Sequence, residues 1–67
     1  MIEALKIEIE TENAAFEGWN RCEECARILR ELADKIAEGG AENRSLWDFN
    51  GNRIGIARWI DSNENTE

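Results

Sequence analysis

Leu46-Trp47-Asp48-Phe49-Asn50-Gly51-Asn52-Arg53-Ile54-Gly55-Ile56-Ala57 reads as two strands folded back on each other about Asn50-Gly51. Asn-Gly is a strong two-residue hairpin signal, because a type I′ turn needs positive φ at both central residues and these types tolerate it best. The expected strands are 45–49 and 52–60. A two-residue turn sets Phe49 opposite Asn52, Asp48 opposite Arg53, Trp47 opposite Ile54 and Leu46 opposite Gly55. Trp47, Ile54 and Ile56 then share one face, and Asp48 and Arg53 form a structural pair on the other. Gly55 and Ala57 leave that second face thin, with Trp59 to cover it.

Working outward, Leu5, Ile7 and Ile9 alternate with Lys6, Glu8 and Glu10. Period-two alternation over 4–10 predicts a strand with one face buried and one wet. Residues 11–19 connect it onward, with Phe16 and Trp19 as anchors onto the core. Asn20 followed by Glu23 fits an N-cap with its capping-box partner. Cys22, Cys25, Ala26, Leu29, Leu32, Ala33 and Ile36 recur at three- and four-residue steps, which predicts an amphipathic helix over 21–38. Gly39-Gly40 ends it.

The order strand, helix, strand, strand predicts an α+β fold, β-α-β-β. The sheet is three-stranded and antiparallel in the order 1-3-2, with the helix packed on one face. The third strand takes the centre because it is longest and carries small residues. The first strand becomes an edge with the outward row Lys6, Glu8, Glu10 and Glu12, and charges on an edge oppose unwanted pairing. Residues 1–60 form the single domain and 61–67 a polar acidic tail.

The 67 residues carry fifteen acidic against eight basic side chains, a net charge of −7. Glu3, Glu8, Glu10, Glu12, Glu17, Glu23 and Glu24 face only Lys6 and Arg21 in the first 24 positions, a net of −5. Residues 25–60 are nearly neutral at +1, and the last seven add −3. A concentrated anionic field attracts basic partners and repels nucleic acid and anionic membranes. Direct nucleic-acid binding is therefore disfavoured. No apolar run approaches the ~20 residues of a membrane-spanning helix. The N-terminus has no basic stretch leading into an apolar one, so with two Cys a reducing cytosol is the expected location.

Chemistry has little to work with. There is no His, the commonest general base and zinc ligand. Ser45 and Ser62 have no candidate base, and a flat edge gives Glu8 and Glu10 no pocket to raise one pKa. The chain does not read as an enzyme, and no cofactor is implied. Cys22 and Cys25 have redox or half-zinc spacing, but a second ligand pair is missing and Glu23 and Glu24 oppose a thiolate. Both read as small core residues on the helix stripe, so no metal site is expected.

The carboxylate row can be read two ways. Alternate residues on a strand stand about 6.7 Å apart on one side. DNA phosphates recur every ~3.4 Å of axis per strand, along a longer backbone path. Glu8, Glu10 and Glu12 can thus imitate a run of phosphates, with Glu3, Glu17, Glu23 and Glu24 as supporting charge. The plainer reading is a solvated face that keeps the protein soluble. Trp19 and Trp59, if exposed, offer instead an apolar interaction patch of another class. A monomer and a homodimer are both compatible with the sequence.

Ile7-Glu8-Ile9-Glu10-Thr11-Glu12-Asn13-Ala14-Ala15-Phe16 resembles the "IETxNAAF" opening of small acidic proteins encoded by prophages and other mobile elements of Pseudomonas-like bacteria. Ala26–Ala33 and Trp47–Gly55 resemble that family's helix and closing hairpin. The likeness spans roughly positions 5–56. Some such proteins are anti-CRISPRs, and the chain is similar to type I-C anti-CRISPRs that act as DNA mimics. The resemblance implies a phage-encoded inhibitor that occupies a basic, PAM-reading site on a type I surveillance complex. Cys22, Cys25, Trp19 and the C-terminal extension depart from the pattern and inherit no role from it.

Overall fold

The computed structural model describes residues 1–61; the expectation of an acidic tail lies outside them, save for Asp61. The chain forms β1 (Ile2–Ile9), a 3-10 turn over Ala14–Phe16, α1 (Asn20–Gly39), β2 (Arg44–Trp47) and β3 (Arg53–Asp61). The three strands make one antiparallel sheet in the order β1-β3-β2, with β3 central. This is the expected α+β arrangement. Asp61 belongs to β3, where it lies opposite Ile2 and its carboxylate accepts from the N-terminal amine at 3.0 Å.

The core is built on Phe16 and Ala15, both fully buried, with Ile28, Leu32, Leu46, Ile54 and Ala57 around them. Leu5, Ile9, Cys25 and Ile36 close its margins. Full burial of a side chain such as Phe16 stabilises by roughly 1.5–3 kcal/mol relative to leaving it exposed. Trp19, expected as a second anchor, is instead 90% exposed.

α1 is rotated from the expected stripe. Its buried residues are Glu24, Ile28 and Leu32, at successive steps of four. Cys22, Leu29 and Ala33 face solvent. Asn20 does not cap the helix: Trp19 holds that place with helical backbone and no side-chain bond. The preceding turn supplies acceptors instead, Glu17 C=O to Asn20 N–H at 3.1 Å and Gly18 C=O to Arg21 N–H at 3.5 Å. At the far end Gly40, at φ 84°, donates its N–H to Ile36 C=O at 2.9 Å.

The hairpin turn is wider than Asn50-Gly51 alone. Among the described residues none other than glycine has positive φ, so Asn50 cannot belong to a type I′ turn. Gly51, at φ 85°, donates to Asp48 C=O at 3.0 Å, and Asp48 N–H donates to Asn52 C=O at 2.9 Å. This is a three-residue loop with Gly in the left-handed position. Asp48 therefore closes on Asn52 rather than on Arg53, and Trp47 lies opposite Arg53. Ile54 is then an extra residue on β3, and the ladder resumes with Leu46 opposite Gly55, as expected.

That bulge also decides which face is covered. Leu46 and Ala57 are buried beneath the helix layer, while Trp47 is 52% exposed. The thin face of the hairpin is the core face: Ala57 is buried in the core there, and at Gly55 the β1 backbone at Glu8 and Ile9 leaves no room for a side chain.

Candidate functional site

β1 ends at Ile9, β3 begins at Arg53, and the hairpin turn over 48–52 lies at the same end of the sheet. The connection 10–19 and the start of α1 are fastened there by the half-buried Asn13 and by two buried carboxylates, Asp48 and Glu24. Asn13 bends the chain into the 3-10 turn by accepting Ala15 N–H at 3.1 Å on its Oδ1. Its Nδ2 donates to Asp48 Oδ2 at 2.8 Å. Asp48 also accepts the N–H groups of Asn50 and Asn52, both at 2.9 Å, and the Asn52 side-chain amide at 3.2 Å. Burial pushes its carboxyl pKa up, but those donors outweigh burial and hold it below the usual value.

Glu24 is the third group, only 6% exposed. Arg27 donates to it twice, from Nε at 2.9 Å and from Nη2 at 2.6 Å, and Phe49 N–H donates at 2.9 Å. The Arg27 bonds, helped by the Phe49 N–H, overcome desolvation and hold Glu24 below the usual carboxylate range. Arg27 reaches on to Glu31 at 2.9 Å and to Trp47 C=O at 3.3 Å. Its own pKa is driven upward, chiefly by Glu24. Helix and hairpin are thereby joined through one guanidinium.

This geometry re-sorts the acidic residues. Glu24 leaves the candidate surface, because it neutralises Arg27 and an orphan N–H inside the fold. Glu8 stands in β1 on the face away from the core, beside Lys6 and diagonal to Arg58. Glu10 follows the strand, with its N–H still bonded to Ile54 C=O at 2.8 Å, and Glu12 lies in the connection beyond. Glu8, Glu10 and Glu12 are thus not one strand row. Glu3 is exposed near the opposite end of β1.

Glu10, Glu12 and Glu17 are exposed along the connecting stretch, and Glu23 is exposed in the first turn of α1, beside the exposed cation Arg21 in the same turn. Trp19 lies in the midst of that stretch, and Phe49, 60% exposed, and Trp47 flank the same end. Phe49 and Trp47 were not legible as surface aromatics: Trp47 stands on the face opposite buried Leu46, and Phe49 lies in the wider loop. The arrangement offers exposed aromatics beside exposed carboxylates, with Arg53 opposite Trp47 and Arg30 in the groove that Glu23 and Phe49 line.

Cys22 is exposed, Cys25 is half-buried at the core margin, and both are free thiols. Among the described residues no group of three or more His, Cys, Asp or Glu is placed to hold a metal ion. Nor is any helix among them long and apolar enough to cross a membrane. No family model, curated protein or solved structure matches the chain.

Proposed function

We propose that the protein is an inhibitor that covers a basic DNA-reading surface of a host defence complex, using its turn end. The observation that carries this reading is the exposure of Glu10, Glu12, Glu17 and Glu23 along the stretch from the end of β1 to the first turn of α1, with Trp19, a Trp almost fully open to solvent, in the same stretch. A surface that holds phosphates with Lys and Arg accepts fixed carboxylates in their place. Trp supplies the desolvated anchor that exposed ion pairs lack. The likeness of the three sequence segments to mobile-element proteins directs the reading to a phage-encoded anti-CRISPR. The target is then the PAM-reading site of a type I surveillance complex.

The test is target-DNA binding by a purified type I-C surveillance complex, with and without this protein, at low and high salt. DNA binding is lost at low salt and returns as salt screens the contacts. Changing Glu10, Glu12, Glu17 and Glu23 together to Gln weakens inhibition by about ten- to hundredfold. DNA binding that is unaffected at both salts rejects this target.

A second reading is a protein-interaction module that regulates a host enzyme through the aromatic patch, favoured by the joint exposure of Trp19, Trp47 and Phe49. Apolar association survives high salt. Binding that is indifferent to salt and to the four Gln changes, but lost in Trp19→Ala, selects that reading.

A further inference from the structure

The eight-residue strand β1 is an edge whose outer side pairs with no strand among the described residues. A free strand of that length is a template for another strand. Its bonding direction is set on the inner side: Glu10 N–H donates to Ile54 C=O, and Glu8 lies opposite Ile56. Backbone groups alternate sides along a strand. Glu10, Glu8 and Lys6 therefore aim theirs at β3, and Leu5, Ile7 and Ile9 aim theirs outward. An added antiparallel strand must bond through those three residues.

We infer that a second copy of this chain adds to β1, with the two-fold axis at Ile7. In that register Ile7 bonds the partner's Ile7, and Leu5 lies opposite the partner's Ile9. Lys6 lies opposite the partner's Glu8, and the symmetry makes this pair twice. Both are non-hydrogen-bonded positions, where facing side chains come closest. An axis at Lys6 would set Lys6 against itself. One at Glu8 would set Glu8 against itself, and one at Ile9 would set Glu8 against Glu10 twice. An axis at Leu5 leaves Lys6 opposite Ala4, its charge unmatched. Of the registers centred on Leu5 to Ile9, the Ile7 axis alone gives attractive pairs and no like pair.

Two features of the single chain fit this occupant. Ile7 belongs to the core-side row of β1 yet is 40% exposed, at the margin the helix does not cover. Lys6 faces Arg58 across its own sheet, an unfavourable like-charge pair, and neither Lys6 nor Glu8 makes an ion pair among the described residues. The edge charges thus select one partner register rather than forbid pairing. The product is a continuous six-stranded antiparallel sheet with both helices on one face and an acidic turn end at each side of the axis.

Sedimentation equilibrium of the full chain tests this. Mass rises with concentration from 7.7 kDa toward twice that value. Lys6→Glu and Glu8→Lys, each alone, create two like-charge pairs and weaken association roughly tenfold. The double swap Lys6→Glu/Glu8→Lys restores it. Lys6→Glu also gains a favourable partner in Arg58, so its melting temperature is held or raised, which separates lost pairing from lost folding. A 7.7 kDa species at all concentrations overturns the dimer. Association indifferent to either single change, or a swap that fails to restore it, overturns this interface.

Discussion

Alanine at Gly55 leaves the domain largely unfolded at room temperature. Gly55 lies in the central strand between Ile9 on β1 and Leu46 on β2, on the crowded core side. A Cβ there would run into the Glu8 carbonyl oxygen, with the Ile9 Cα at 3.1 Å. These are backbone atoms of a paired strand, so no rotamer change relieves them; the β1–β3 ladder has to separate. Overpacking of this kind costs about 3 kcal/mol or more. A domain of this length holds only roughly 3–10 kcal/mol in total. Gly39→Ala is the internal control. Its Cβ would meet only the Arg44 Nη2 at 2.6 Å, the far end of a flexible side chain, and Ala favours the last helical turn by up to about 1 kcal/mol. Thermal melts followed by circular dichroism should show a cooperative transition for Gly39→Ala within a few degrees of the parent, and none for Gly55→Ala. A Gly55→Ala protein that melts like the parent would mean that the strands do not approach as described.

The same glycine marks how far the sequence could be read. Small residues in the longest strand were enough to place β3 at the centre, and that placement depends only on crowding. Their direction was not legible, because alternation in a hairpin says which residues share a face, not which face meets the helix. The bulge at Ile54 broke even that alternation, letting Ile54 and Ala57 both be buried. Asn50-Gly51 correctly marks the turn, but the loop width depends on Asp48, whose side chain binds two loop amides and makes a wider turn more favourable.

Glu24 was illegible for a related reason. An acid three residues before an arginine looks like any solvated helix pair. Nothing local says that Phe49 N–H, far along the chain, needs an acceptor at that spot. Counting Cys22 and Leu29 as apolar then rotated the expected stripe away from Ile28. Asn13, Glu24, Arg27, Asp48, Asn50 and Asn52 come from the connection, the helix and the hairpin. Their visible work in this fold is to lock the connection, the helix and the hairpin together. The candidate surface is instead built from neighbours of these residues, Glu10, Glu12, Glu17, Trp19 and Glu23, whose only local signal was charge density.

Acid should loosen this lock, and Glu24→Gln should remove much of the pH dependence. Glu24 and Asp48 both have carboxyl pKa values lowered by folding, from reference values of 4.5 and 3.8. A group whose pKa is lower in the folded state stabilises at pH above its unfolded value, and that contribution fades as pH falls through the folded value. Stability should therefore be level from neutral pH down to about 5, then fall below about 4.5, first through Glu24 and then through Asp48. Protonating Glu24 leaves Arg27, partly exposed and still paired with Glu31, without its bidentate partner. It also weakens the acceptor for Phe49 N–H. Gln at 24 keeps the volume and one carbonyl oxygen but presents an NH2 to a guanidinium. The cost at neutral pH is about 1–3 kcal/mol, toward the low end because Arg27 retains water and Glu31. Urea midpoints measured between pH 7 and pH 3 should show parent and Glu24→Gln converging as acid is added. Parallel curves at all pH values would mean that the ion pair contributes nothing to holding helix and hairpin together.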